Sequence, residues 1–204
     1  EAVGSVLRVC AFRVLPSRQR FGLWWSCASR VTANIDRQRE HQQALHDSHL
    51  NGADVVEADE LVHLAKRNPN NCRILERLPD LAIDDAWLVS GAVFQTVWNC
   101  LTERSPEYGI KDYDIFYHDS SDLSWEAEDR VIKRVTEALS DLCVNVEVRN
   151  QARVHLWYEE RFGTPYPPLN SAREGMDRFL APVCMVGLRP DRSGHLEVYA
   201  PQGL

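Results

Sequence analysis

The six cysteines of this 204-residue chain form no C-x-x-C pair, and no histidine cluster stands beside them. Cys10, Cys27, Cys72, Cys100, Cys143 and Cys184 are scattered. Structural zinc and a disulfide framework are therefore both weak readings, and a reducing cytoplasm fits better. No apolar run approaches the roughly 20 residues that a membrane-spanning helix needs, so no membrane partner is expected. There is no internal repeat and no low-complexity tract, which removes solenoids and repetitive linkers. Positive charge is also short: the formal net charge is −7. That argues against nucleic-acid binding over the whole surface and leaves room for a local basic patch. What is present is apolar material, 44% of the chain, enough for a real core. The length suits one domain, with an extension.

The extension is expected over residues 1–50. Residues 1–40 hold seven Arg, no Lys and three acids, which leaves −11 for the remaining 164. An Arg-rich, acid-poor start reads as a transit peptide or as upstream sequence from a misplaced gene start. The chain begins with Glu1 rather than Met and stops at Leu204, just after an expected strand, so a fragment truncated at its C-terminus is expected. The domain itself is placed at residues 55–204.

The stretch around which that domain is organised is Lys111 to Tyr117, KDYDIFY, read as a β-strand. Side chains alternate along a strand. Tyr113, Ile115 and Tyr117 then form an apolar face, while Asp112, Asp114 and Phe116 share the other. Two like charges held close need a reason, and a divalent cation is a common one, because Mg²⁺ is bound by one or two carboxylates plus substrate phosphates. The bland alternative is an edge strand with two solvated acids.

Upstream, residues 58–67 carry Leu61, Val62 and Ala65 at helical spacing, and Asn68-Pro69 ends that helix. Residues 71–78 give a second short helix. Trp87 to Val89 is a candidate buried strand, Ser90 and Gly91 a turn, and a helix follows from Ala92 with Val93, Phe94, Val97, Trp98 and Leu101 as one apolar stripe. A Gly between strand and helix lets a ligand approach the backbone, and the free N–H groups of the helix end suit phosphate. It can equally serve only the turn. Residues 102–111 are a loop.

Residues 124–142 read as an amphipathic helix with Ser124 as N-cap. In residues 144–158, Val144, Val146 and Val148 alternate with Asn145, Glu147 and Arg149, as in a half-buried strand. Glu147 is either a third carboxylate beside the acidic strand or a solvated glutamate. Ser171 and Glu174 form a capping box for a short helix. Val183 to Leu188 and His195 to Tyr199 read as two strands joined by a turn at Gly194. Strands alternating with helices indicate an α/β layer fold.

This order of strand, Ser90-Gly91, helix, acid-x-acid strand, helix and strand with Glu147 resembles the nucleotidyltransferase fold of the DNA polymerase beta superfamily. CCA-adding enzymes show a similar order. The likeness is closer to a family of bacterial nucleotidyltransferases, carried by Trp87 to Asn99 (WLVSGAVFQTVWN), Gly109 to Tyr117 (GIKDYDIFY), Asp122 to Asp129 (DLSWEAED), Val146 to Tyr158 (VEVRNQARVHLWY) and Tyr199 to Leu204 (YAPQGL). It covers roughly residues 58–204. Two features depart from the superfamily pattern. Its usual Gly followed by Gly or Ser is here Ser90-Gly91-Ala92, and the gap from Gly91 to Asp112 is long.

The resemblance implies a mixed sheet flanked by helices. It also implies transfer of a nucleotidyl group from an NTP to a hydroxyl acceptor (small molecule, RNA or protein) by a two-metal in-line mechanism with Mg²⁺ or Mn²⁺. Asp112, Asp114 and Glu147 would be the metal-binding and catalytic acids. Ser90, Gly91 and Lys111 would serve the phosphates, although a regular strand points Lys111 away from Asp112. The block Arg149, Asn150, Gln151, Arg153 and His155 is read either as contacts to base, sugar or acceptor, or as a structural hydrogen-bond network. Trp98, Trp157 and Tyr158 are expected in the core or as cleft wall. The alternative function is a non-catalytic nucleotide-binding or protein-interaction member of the same fold.

Overall fold

The computed structural model describes residues 58–203. The expected extension over residues 1–50 lies outside the described residues, as does Leu204. The described residues open with α1 (Ala58–Ala65) and α2 (Pro69–Arg77), and a short 3₁₀ turn (Leu78–Leu81) leads to β1 (Trp87–Val89). Then come α3 (Gly91–Leu101), β2 (Tyr113–Tyr117), α4 (Trp125–Ala138), β3 (Val146–Asn150), α5 (His155–Phe162), α6 (Ala172–Met176), β4 (Gly187–Pro190) and β5 (Leu196–Tyr199). The five strands form one mixed sheet in the order β3-β2-β1-β4-β5. β2 and β3 run parallel, and the other pairs are antiparallel.

Asn68 does more than end the first helix. Its side-chain oxygen accepts from the N–H groups of Asn70 (2.9 Å) and Asn71 (3.4 Å), which makes it the N-cap of α2, with Pro69 at the first helical position. Ser124 caps α4 as expected, accepting from the Ala127 N–H at 3.2 Å. Ser171 caps α6, but the Glu174 carboxylate turns to the Asn170 N–H rather than back to Ser171, so the capping box is only half formed.

One face of the sheet carries the larger core. Leu88, Tyr113, Ile115, Tyr117, Val148 and Leu188 pack there against Leu61, Ile74, Val93, Val97, Val135 and Leu139 from the helices. The opposite face is covered only in part, by a smaller cluster of Trp87, Val89, Ala172, Met176 and Phe179, with the Phe116 ring stacked on Phe179 at 5.4 Å. Gly187 is required at the seam: a Cβ there would stand 2.6 Å from the Met176 sulfur.

Three expectations need correction. The acidic strand begins at Tyr113 and not at Lys111, because ladder pairing starts where the Tyr113 N–H reaches the Asn145 carbonyl at 2.9 Å. The expected strand Val183 to Leu188 starts late: Pro182–Cys184 is a 3₁₀ turn, and β4 begins only at Gly187. The stripe on α3 divides: Val93 and Val97 are buried, whereas Trp98 is 40% and Leu101 54% exposed. Trp157 and Tyr158 are half-buried, in a cluster with Phe162 and Tyr166.

Candidate active site

The register of β2 and β3 decides the geometry. Asp114 is the ladder partner of Glu147, and Phe116 is the partner of Arg149. Partners in adjacent strands point to the same face, about 4.8 Å apart at the backbone. Because Tyr113, Ile115 and Tyr117 fill the larger core, Asp114, Glu147 and Arg149 share the thinly covered face. On the other side of β2, Val89 pairs with Asp114, so the Ser90-Gly91 turn leaves β1 beside the carboxylates. Asp112 sits one residue ahead of β2. The first row across this face therefore brings together Glu147, Asp114 and the turn. The next row, Arg149, Phe116 and Trp87, closes it toward the smaller core.

The acids sense one another. Burial pushes the Asp114 carboxyl well above its ordinary value near 3.8, and the charges of Asp112 and Glu147 push in the same direction, against Arg149. Burial also raises Asp112, helped by Glu147 and opposed by Lys111. Arg149 lies 3.5 Å from Glu147. A site that raises the proton affinity of two neighbouring carboxyls favours a compensating cation.

Ser90 holds a positive φ of 55° with ψ −123°, a conformation that suits glycine and is strained for serine. It is buried, its N–H donates to the Val186 carbonyl at 2.8 Å, and its own carbonyl accepts from Val93 and Phe94 in the first turn of α3. Gly91 does not have a positive φ, and a Cβ there would meet nothing within 4 Å. The strain thus belongs to Ser90, while Gly91 leaves open space over the first N–H groups of α3, which have no partners within the helix.

The block after Glu147 separates. Arg149 stays at the carboxylates. Asn150, Gln151 and Arg153 are buried away from them. The Asn150 amide donates to the Asp119 carbonyl at 2.8 Å and accepts from Asp119 and Ala152, each at 3.1 Å. Gln151 packs against Gly175. Arg153 pairs with Glu128 and donates to the Leu123 carbonyl at 2.9 Å, while Glu128 also accepts from the Asn150 N–H. Asn150 and Arg153 thus sit in a structural hydrogen-bond network. His155 Nδ1 is buried and finds no partner. Lys111 is exposed, close enough to lower Asp112.

Sequence reasoning missed the Glu128–Arg153 pair and the buried side chains of Asn68, Asn71 and Thr96. An acid on one helix and an Arg beyond the next strand, 25 residues later, carry no local signature of pairing, and Asn68 was legible only as a helix breaker.

The donor set is oxygen only, which fits a hard divalent cation. Among the described residues no group of three or more His, Cys, Asp or Glu side chains is gathered tightly enough to cage a metal by itself. A Mg²⁺ ion there would need substrate oxygens and water to complete its ligand set. Asp112, Asp114 and Glu147 are the residues that would hold it.

Comparison with known proteins bears on the family and the fold. Among curated proteins none matches. A protein whose NMR structure reveals a CCA-adding enzyme head domain has the same fold, with a TM-score of 0.60 over 74% of this chain and 75% of that one, at 26% identity. Residues 76–204, more than half of the chain, match the family described as nucleotidyltransferase. With its α/β mixed sheet, polymerase-beta-like in topology, the chain belongs to the nucleotidyltransferase family.

Proposed function

We propose that the chain transfers a nucleotidyl group from an NTP to a hydroxyl acceptor, with Asp112, Asp114 and Glu147 as its acids. The observation that supports this most is the pairing of Asp114 with Glu147 on the open sheet face, beside the Ser90-Gly91 turn. The triphosphate lies over Gly91, where the N–H groups of α3 and the open space meet it. Divalent ions bound at the acids supply charge neutralisation for an in-line displacement, of the two-metal kind. Asp112 and Asp114 hold the side of the site that carries the triphosphate. Glu147 lies at the far side, where it takes the proton from the attacking hydroxyl as the oxygen–phosphorus bond forms and pyrophosphate leaves. Arg149, between Glu147 and Phe116, supplies positive charge to the phosphates, and exposed Lys111 adds to it from the rim.

The test is pyrophosphate release with Mg²⁺ or Mn²⁺ and each NTP, against a panel of small-molecule, RNA and protein acceptors. Release that depends on both metal and acceptor is expected. A second reading is a nucleotide-binding member that does no chemistry, favoured by the absence of a tight three-acid group among the described residues. It predicts saturable NTP binding with no release for any acceptor.

A further inference from the structure

Behind the acidic strand lies a buried polar network that nucleotidyl transfer does not itself use. Asn68, Asn71 and Thr96 are each fully buried, at 0% exposure. The Asn68 amide nitrogen donates one N–H to the Thr96 hydroxyl on α3 and one to the Tyr113 hydroxyl on β2, both at 3.1 Å. Its oxygen is already spent on the cap of α2. Asn71 donates to the Ala92 carbonyl in the first turn of α3 at 2.8 Å, and Thr96 donates to the same carbonyl at 2.8 Å. Asn70 adds a second donor to the Tyr113 hydroxyl at 3.3 Å.

The two ends of this network matter. Tyr113 stands between Asp112 and Asp114, and Ala92 follows Gly91. A single buried amide, with all its hydrogen-bonding capacity committed, therefore ties the strand of the acids to the helix of the phosphate turn. Tyr113 points to the opposite face from Asp114, so the network touches neither ligand and acts only through the backbone.

We propose that Asn68 is a positioning residue: it fixes the spacing between the Ser90-Gly91 turn and the Asp112–Asp114 segment, so that metal and nucleotide bind cooperatively. This rests on the reading of the acids and the turn given above. With both Asn68 donors committed and only the buried Asn71 Oδ1 left without a partner, the network favours one geometry, which is what such coupling requires.

The experiment uses the full 204-residue chain. Binding of ATP, GTP, CTP and UTP is measured by calorimetry twice, in EDTA and with saturating Mn²⁺, and the ratio of the two affinities is the readout. Thr96→Val and Tyr113→Phe each remove one arm with little change in volume. Asn68→Asp keeps the acceptor that caps α2 and loses both donors. Val135→Ala, in the core away from the network, is the control for general loss of stability. For the parent the ratio is well above one for at least one NTP. Thr96→Val and Tyr113→Phe keep the EDTA affinity within about threefold and lower the ratio about tenfold, a coupling loss of ordinary size, while Val135→Ala keeps the parent ratio. Variants that melt earlier yet keep the parent ratio overturn the positioning role alone. A parent whose ratio is one for every NTP overturns both this role and the proposed function.

Discussion

Asp114 and Glu147 are direct partners across the parallel β2–β3 pair, both on the sheet face left open by the smaller core. A folded chain that holds two acids this way carries a cost that rises with their ionisation. Asp114 has its carboxyl pushed up by burial and by the neighbouring acids, so the folded state binds its proton more firmly than the unfolded state. The sign follows: without divalent ions, the contribution of this group to stability is greatest below the ordinary value near 3.8 and is lost as pH rises through the higher folded value. Asp114→Asn removes that loss. In EDTA the variant is expected to match the parent near pH 4 and to melt about 2–4 °C higher at pH 7, the shift for about 1 kcal/mol in a chain of this size. Thermal unfolding across pH measures it. An unchanged difference at all pH values contradicts the electrostatic account.

Gly91→Ala separates a glycine kept for the fold from one kept for a ligand. A Cβ at this position meets nothing within 4 Å, and the backbone is not in the left-handed region. Alanine there is expected to leave the melting temperature unchanged or slightly raised, by up to about 0.5–1 kcal/mol. Nucleotide affinity is expected to fall about tenfold, because the methyl group occupies the space above the N–H groups of α3. Paired melting and binding curves decide it.

Arg153 and Glu128 form an ion pair whose side chains are 10% and 13% exposed. Removing one partner leaves the other charge buried. Arg153→Met is expected to lose about 3–5 kcal/mol in urea unfolding. The double variant with Glu128→Met is expected to lose less than Arg153→Met, although the Asn150 N–H then lacks its acceptor.

Gly187→Ala forces a Cβ to within 2.6 Å of the Met176 sulfur and 3.3 Å of Val89. The expected loss is about 1–3 kcal/mol, typical of overpacking. Met176→Ala in the same chain is expected to relieve the clash, so the pair is non-additive in a double-mutant cycle.

Much of this site was legible in the sequence because period-two alternation in YDIFY and VEVRN assigns each side chain to a face, and the turn chemistry of Ser90-Gly91 marks where strand gives way to helix. Strand partnership was not legible: that Asp114 meets Glu147 depends on register, which only the assembled sheet fixes. The strain at Ser90 was hidden because serine rarely takes a positive φ; the Ser90 N–H donates to the Val186 carbonyl, which helps hold it there. For Asn150 and Gln151 the sequence left ligand contacts and a structural network equally open, because a polar block after a strand serves either. Asn150 shows the competing structural use, its amide pairing the backbone of the segments around it, and Gln151 is buried against Gly175. Trp98 matched the apolar spacing of α3, but a helix against one sheet buries a single stripe, and Trp98 falls off its edge.

The most direct test of the central claim is calorimetric titration of Mg²⁺–NTP against Asp114→Asn and Glu147→Gln, paired with pyrophosphate release. Asp114 lies nearer the turn and Glu147 on the far strand. Asp114→Asn is expected to lose both affinity and turnover, since Mg²⁺ binds through charged oxygens. Glu147→Gln is expected to keep affinity within a few-fold and to lose turnover by about 10²–10⁴, the range for a group that assists proton transfer. Equal loss of binding in the two variants would contradict the division of roles, and full activity in Glu147→Gln would return Glu147 to an ordinary half-buried strand residue.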